Sequence, residues 1–436
     1  MLTLIGVLTI TLVVVLLLLG RVSPIVALTL VPLCGALLAG FGPAEISGFF
    51  SSGLGRVMSV ATMFVFAITF FGVLQDTGLF QPIINGLVRV TGGNVIAVTV
   101  GTGVVGMLAH LDGAGATTFL LTVPALLPLY QRLQMSPYLM LLLLAVGAGI
   151  FNMMPWAGPL GRSAAVTGLE VTALWQPLIM VQAIGAVVLV AMAVLLGLRE
   201  RARIAAAGPR DDLAGDPLFD VRAEPTPEEA ALLRPRLIWV NAAIFLAVLV
   251  TLVAGLLPAG YVFMIGLSVA LVVNYPTSEQ QMLRIRAHAG SALTMAAIIL
   301  AAGSFLGIMD GTGMLNAMAE ALVAALPTAV VPYLHIILGI FGVPMELILS
   351  TDAYYFGLLP IVLQIVGEHG VEPSATVYAL TIGNIIGTFI SPFSPALWLA
   401  LGLAGLDMGR HIRYSLLWMW GFSLVIFAAA WALGLF

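Results

Sequence analysis

The chain has 436 residues, 61% of them hydrophobic and only 8% charged, with a formal net charge of −4. Soluble domains carry roughly a quarter charged residues, so this composition excludes a soluble domain and describes a protein that crosses a bilayer repeatedly. Lysine is absent and all 16 basic residues are arginine, so orientation must be read from where the arginines fall and not from net charge.

Met1–Gly20 lacks a basic leading segment and a small-x-small cleavage site, so it is expected to be a retained first helix. Further apolar spans run over Ile25–Phe41 and Val57–Leu74. An amphipathic segment, Asp76–Gly93, is suited to lying along the interface. Cys34 is the only cysteine; it forms no intrachain disulfide or metal cluster and reads as a small core residue. Two shorter apolar runs, Asn94–Ala109 and Thr117–Tyr130, flank His110-Leu111-Asp112-Gly113-Ala114-Gly115-Ala116. Tyr138–Met154 is interrupted by Pro155-Trp156-Ala157-Gly158-Pro159, and Trp175–Leu198 completes the half. Arg199–Arg236 is polar, arginine-bearing and proline-rich, and reads as a flexible cytoplasmic connector.

The second half repeats the first at an offset of about 235–240 residues. Phe70–Leu79 parallels Phe305–Met314, Asp112 parallels Asp352, Pro155 parallels Pro392, and Gly168-Leu169-Glu170-Val171 parallels Gly405-Leu406-Asp407-Met408. If each aspartate segment is the tip of a re-entrant hairpin, each half has an odd number of crossings and the halves are inverted. With the connector inside, Arg21, Arg89, Arg132, Arg284, Arg286, Arg410 and Arg413 fall on the cytoplasmic side, and outside loops hold only Arg56. The expected architecture is therefore an all-α polytopic membrane protein of two inverted repeats, each with a re-entrant hairpin and an interrupted helix.

An ionisable group at membrane depth costs about 2.5–3.5 kcal/mol on insertion scales, so Asp112 and Asp352 mark functional sites. At the first tip Gly113 permits a tight turn and Thr117 and Thr118 offer hydroxyls. A helix starting near Ala116 would aim its backbone N–H groups at an anion. Asp112 would repel that anion unless a divalent cation lies between them or the carboxyl is protonated during transport; the alternative is a helix cap. At the second tip Ser350 and Thr351 flank Asp352. The breaks are the second pointer: Asn152, Trp156 and Gly158 in one half, and Asn384, Thr388, Ser391 and Ser394 in the other. Paired interruptions in corresponding halves point to a transporter binding site.

Arg162, beside the first break, has three readings: a guanidinium that grips a substrate carboxylate, an ion pair with Glu170, or a side chain facing the membrane interface. His110 adjoins the tip and could relay a proton. His335 reads as a helix-packing residue, and Glu346, six positions before Asp352, leaves proton transfer open. No zinc-protease helix, Walker loop or nucleophile elbow is present in the sequence, which argues against an enzyme.

Leu111-Asp112-Gly113-Ala114-Gly115-Ala116-Thr117-Thr118-Phe119, Pro124-Ala125-Leu126-Leu127-Pro128-Leu129-Tyr130, Met154-Pro155-Trp156-Ala157-Gly158-Pro159 and Ser350-Thr351-Asp352-Ala353-Tyr354-Tyr355-Phe356-Gly357 together resemble the citrate–divalent metal/proton symporter family of the ion transporter superfamily. The resemblance spans essentially the whole chain. It implies an elevator architecture in a homodimer of the inner (plasma) membrane, with residues 1–93 and 237–332 as scaffold, 94–198 and 333–436 as transport parts, and 199–236 as cytoplasmic linker. It also implies proton-coupled import of citrate complexed with Mg²⁺ or Ca²⁺, no permanently bound cofactor and no nucleic-acid partner. Asp112, Asp352 and His110 are then the candidates for metal or proton coupling, and the other tip and break residues for substrate. The alternative is a proton- or sodium-coupled carrier of a metal-free carboxylate such as gluconate, a dicarboxylate or lactate.

Overall fold

The computed structural model describes residues 1–19, 22–79, 94–207, 227–325 and 330–436, and every regular element among them is helical. The first half contains α1 (Leu2–Leu19), α2 (Pro24–Leu38), α3 (Pro43–Asp76), α4 (Val95–Ala109), α5 (Gly115–Arg132), α6 (Pro137–Phe151), α7 (Gly158–Thr167) and α8 (Val171–Ala207). After α9 (Pro227–Leu232) come α10 (Ile238–Val253), α11 (Ala259–Asn274), α12 (Ser278–Gly311), α13 (Met314–Ala325), α14 (Leu334–Ile340) and α15 (Gly342–Met345). A π-helical turn, Ala353–Leu358, leads into α16 (Leu359–Gly367); α17 (Pro373–Asn384) runs into a 3-10 stretch, Ile385–Phe389, before α18 (Pro395–Ala404) and α19 (Met408–Ala432).

Local chemistry sets many of these boundaries. α2, α3, α6, α17 and α18 each begin with proline, whose fixed φ and missing N–H suit the first helical position. The repeated Gly-Leu-acid strings are a stop and a start. Gly168 (φ 70°) and Gly405 (φ 64°) end α7 and α18 in the left-handed conformation. Glu170 then accepts from Ala173 N at 2.8 Å to begin α8, and Asp407 accepts from Arg410 N at 2.9 Å to begin α19.

Among the described residues five helices are long and apolar enough to cross a membrane, α3, α8, α12 and α19 among them, and the chain is an integral membrane protein. Leu4, Leu8, Leu30, Val187, Leu246 and Val250 are exposed, as a surface facing lipid tails requires. By contrast α6 is buried on every side from Leu139 to Ile150, the pattern of a helix enclosed by others.

α3 and α12, 34 residues each, pack against one another along their length and run antiparallel. Phe49 meets Gly311, Gly53 meets Gly303 and Gly307, and Gly72 meets His288. A Cβ on Gly53 would lie 2.0 Å from the carbonyl oxygen of Gly303, so glycine is what lets the two backbones touch. Ion pairs close both ends: Arg56 with Asp310 at 2.6 Å, and Asp76 with Arg284 at 3.4 Å, Asp76 being hydrogen-bonded also to His288 at 2.9 Å. Arg56 and Asp76 stand about 30 Å apart at about 1.5 Å per residue, close to one hydrocarbon thickness. α2 and α11 flank this pair, while α4, α6, α8 and Ile385–Phe389 form a second packed group, and α7 touches α3, α8 and α12. Gly147 against the carbonyl of Gly103 (α6 on α4) recurs as Gly383 against Gly339 (α17 on α14).

Three expectations change. Arg56 lies within α3, not in an outside loop, because the helix begins at Pro43 and not near Val57. The connector begins as helix: α8 continues to Ala207, held where Glu200 accepts from Ser136 N and pairs with Arg203 at 2.8 Å. Cys34 is exposed on α2 and is not a core residue. The amphipathic stretch within Asp76–Gly93, the middle of the connector, and Arg21 and Arg89 lie outside the described residues beyond Leu79, Ala207 and Leu19.

Candidate functional site

The first tip is a reversal between α4 and α5. Gly113 adopts φ 71°, and a Cβ there would sit 3.2 Å from Trp156 and Ala157, so the turn needs glycine for conformation and for space. Asp112 folds back on the turn: its Oδ1 accepts from Ala114 N at 2.9 Å, and the Thr117 hydroxyl also bonds to it. The bond from Ala114 N closes the turn ahead of α5 and is not the helix cap: the N-cap is Ala114, with no side-chain cap bond. Trp156 Nε1 donates to the carbonyl of Leu111 at 2.8 Å from within a cluster formed by Phe71, Trp175 and Phe263. This buried indole is a clamp that holds the tip on its own break. His110, fully buried, stands between Thr118 Oγ1 at 2.8 Å and Asn152 Oδ1 at 3.4 Å.

The second tip is built differently. α14 and α15 end at Met345, and Glu346 turns inward with no exposure at all. Asn384 Nδ2 donates to Glu346 Oε1 at 2.8 Å, and Tyr355 OH donates to Asn384 Oδ1 at 3.2 Å. Ser391 Oγ donates to the main-chain carbonyl of Glu346 at 2.7 Å. Ser350 accepts from Ala353 N at 3.2 Å, and Asp352, with Thr351 half-buried beside it, stands where the π-helical turn begins.

Each tip also reaches the other half's break. Arg162 Nε donates to Asp352 Oδ1 at 2.8 Å, with side-chain exposures of only 9% and 16%, and the guanidinium lies 5.9 Å from the centre of the Phe356 ring. Gly158 makes room for it, since a Cβ there would meet the guanidinium at 2.4 Å. In the other direction Phe389 lies edge-on to His110 with ring centres 5.4 Å apart, and Gly115 abuts Phe389 and Ala396. Arg162 thus pairs across the halves and not with Glu170, which is used as a helix cap.

The structure gathers Arg162, Gly158 and Asp352 at one junction and His110, Thr118 and Asn152 at another. Asn384 and Ser391 converge on Glu346. Ser394 is spent locally, its hydroxyl accepting from Leu397 N to start α18. The Thr388 hydroxyl is buried and has no partner among the described residues. Glu346 is the residue whose place in this site the aspartate alignment obscured. The signal was in the glycines: the shift that superposes Gly103 on Gly339 and Gly106 on Gly342 superposes His110 on Glu346. Among the described residues no three His, Cys, Asp or Glu side chains converge as a metal-binding group.

With this geometry in place, comparison with known proteins is direct. The family model for citrate transporters matches residues 2–383. A protein named citrate transporter in Bacillus subtilis (strain 168) is 35% identical over 95% of each chain. One named Mg(2+)/citrate complex secondary transporter, from the same organism, is 36% identical over 91% of this chain and 90% of its own length. The crystal structure of the Alcanivorax borkumensis YdaH transporter has a similar fold, with a TM-score of 0.60 and 89% of each chain covered at 16% identity.

Proposed function

This chain belongs to the citrate transporter family, whose members are transporters and not enzymes, and from that membership we propose that it imports citrate as a complex with a divalent cation of the Mg²⁺ or Ca²⁺ type. In this proposal import is driven by proton symport, the halves are inverted repeats, and alternating access is of the elevator type in a homodimer. The membrane is the inner (plasma) membrane, with the connector in the cytoplasm.

The observation that carries the proposal is the Arg162–Asp352 pair, in which a cation from one half's break clasps an acid from the other half's tip. A citrate carboxylate can take the guanidinium from Asp352, and the released Asp352 carboxylate can then turn to the arriving dication. Citrate carries about three negative charges at neutral pH, and one dication reduces this to about one, which lowers the desolvation cost of entering the site. Asp112, Glu346 and Asp352 stand separately, and this suits a metal that brings most of its ligands with it. Mg²⁺ in particular keeps several waters or substrate oxygens when bound. The name of the Mg²⁺/citrate relative supports the metal complex as cargo. The antiparallel contact of α3 with α12 supports inversion, since equivalent helices of inverted repeats run in opposite directions.

The test is citrate uptake into proteoliposomes across a panel of dications with an imposed pH gradient. Uptake is expected to require both; undiminished uptake in chelator would rule out the metal complex and leave the metal-free carboxylate. Asp112→Asn is expected to abolish uptake in protein that still folds, because the amide oxygen can still accept from Ala114 N while the negative charge is gone. Uptake at the wild-type rate in that variant would remove Asp112 from the site.

A further inference from the structure

Resting on the proton-symport proposal, we infer that Glu346 is the group that carries the transported proton. Four observations converge on it. Its side chain is fully buried, and Oε1 accepts from Asn384 while Oε2 has no hydrogen-bond partner among the described residues. An ionised carboxylate held this way costs several kcal/mol without a compensating charge, and protonation removes that cost. The nearest compensating cation is already engaged, since Arg162 is bonded to Asp352. The break's backbone also rests on the acid's stem: a Cβ on Gly387 would lie 3.1 Å from Glu346 Cγ.

The charged and titratable groups around Glu346 can be named from each neighbouring element. Arg162 and Asp352 act on its charge from α7 and the tip, and the π-helical turn bears Tyr354 and Tyr355. α17 contributes Asn384, and the break contributes Ser391 and the unpartnered Thr388 hydroxyl. α14 bears His335, whose Nδ1 is also unpartnered among the described residues; α19 bears His411, which bonds to the carbonyl of Phe389 at 3.2 Å and to Ser415. Of these groups, Glu346 has the one carboxyl oxygen that is both fully buried and without a hydrogen-bond partner among the described residues. In the cycle a proton passes from an external hydronium ion to Oε2, forming the O–H bond and leaving water. When the site opens to the cytoplasm that bond breaks and the proton passes to water there, re-forming hydronium.

The experiment compares wild type with Glu346→Gln in proteoliposomes loaded with Mg²⁺ and citrate. Wild type should accumulate citrate under a pH gradient and exchange citrate at equal pH on both sides. In Glu346→Gln, gradient-driven accumulation should fall at least about tenfold while citrate exchange continues and loses its pH dependence. Accumulation at the wild-type level, or accumulation and exchange lost together in folded protein, would overturn the assignment. Infrared difference spectroscopy of the wild type needs no variant to fold. A protonated-carboxyl band should change on adding Mg²⁺ and citrate and should shift in Glu346→Asp; no such band overturns the inference. If wild type ignores the pH gradient, proton symport itself fails, whereas the infrared result still decides the protonation of Glu346.

Discussion

Arg162→Gln is expected to reduce metal–citrate uptake by about a hundredfold or more, equivalent to about 3 kcal/mol and the size of a lost charge-assisted contact. It should also destabilise the protein by about 3–5 kcal/mol, because Asp352 would be left buried without its cation. Asp352→Asn should produce a similar loss of uptake, with Arg162 as the stranded charge. The double variant separates the two effects. With both charges gone, stability should return most of the way toward wild type while uptake stays lost, since no guanidinium remains for citrate and no carboxylate for the dication. Thermal unfolding in detergent beside uptake in proteoliposomes reads both quantities. A double variant no more stable than the singles would show that the pair does not hold the tip on the break, and the exchange of partners proposed for transport would go with it.

Gly53→Ala is expected to be severely destabilising although it adds one methyl group. That methyl would sit 2.0 Å from the Gly303 carbonyl oxygen and 2.9 Å from Gly307 Cα, and these are backbone atoms that cannot rotate away. α3 and α12 would have to separate along their length, breaking contacts at both ion-pair layers, at the upper end of the roughly 1–3 kcal/mol typical of overpacking or beyond it. Gly383→Ala should behave alike, with its Cβ 2.0 Å from the carbonyl of Gly339. Gly55→Ala, on an exposed face of the same helix with nothing within 4 Å among the described residues, is the control. It should be neutral or stabilising by about 0.5–1 kcal/mol, since alanine loses less backbone entropy in a helix than glycine. Loss of monodisperse protein in the control as well would refute the close-packing explanation.

Much of the candidate site was legible because its signals are local. Prolines, glycines and lone acids in apolar runs are conspicuous in one dimension, and they located the turn at Gly113 and the break before Gly158; the Gly168 and Gly405 strings read only as a repeat, and the structure makes them helix stops. The choice of partners was not legible. Glu170 is near Arg162 in sequence, yet Glu170 caps α8 and Arg162 reaches Asp352 on the other half. Aligning the two acids also drew attention to Asp112 and Asp352, while the glycine contacts of α4 and α14 set a register in which His110 answers to Glu346.

The sequence by itself determined that this is a membrane protein, where its helices turn and break, and which family it resembles, because hydropathy and helix-breaking residues are properties of neighbouring residues. Only the tertiary structure decided that α3 and α12 are long antiparallel helices in backbone contact, that the tips and breaks are shared between halves, and that Glu346 is enclosed with one oxygen unpartnered among the described residues. Pairing, burial and close approach depend on which distant segments meet. In a chain this apolar, hydrophobic burial is too unspecific to choose the partners, and the choice falls to a few glycines and buried polar groups that must fit or be satisfied.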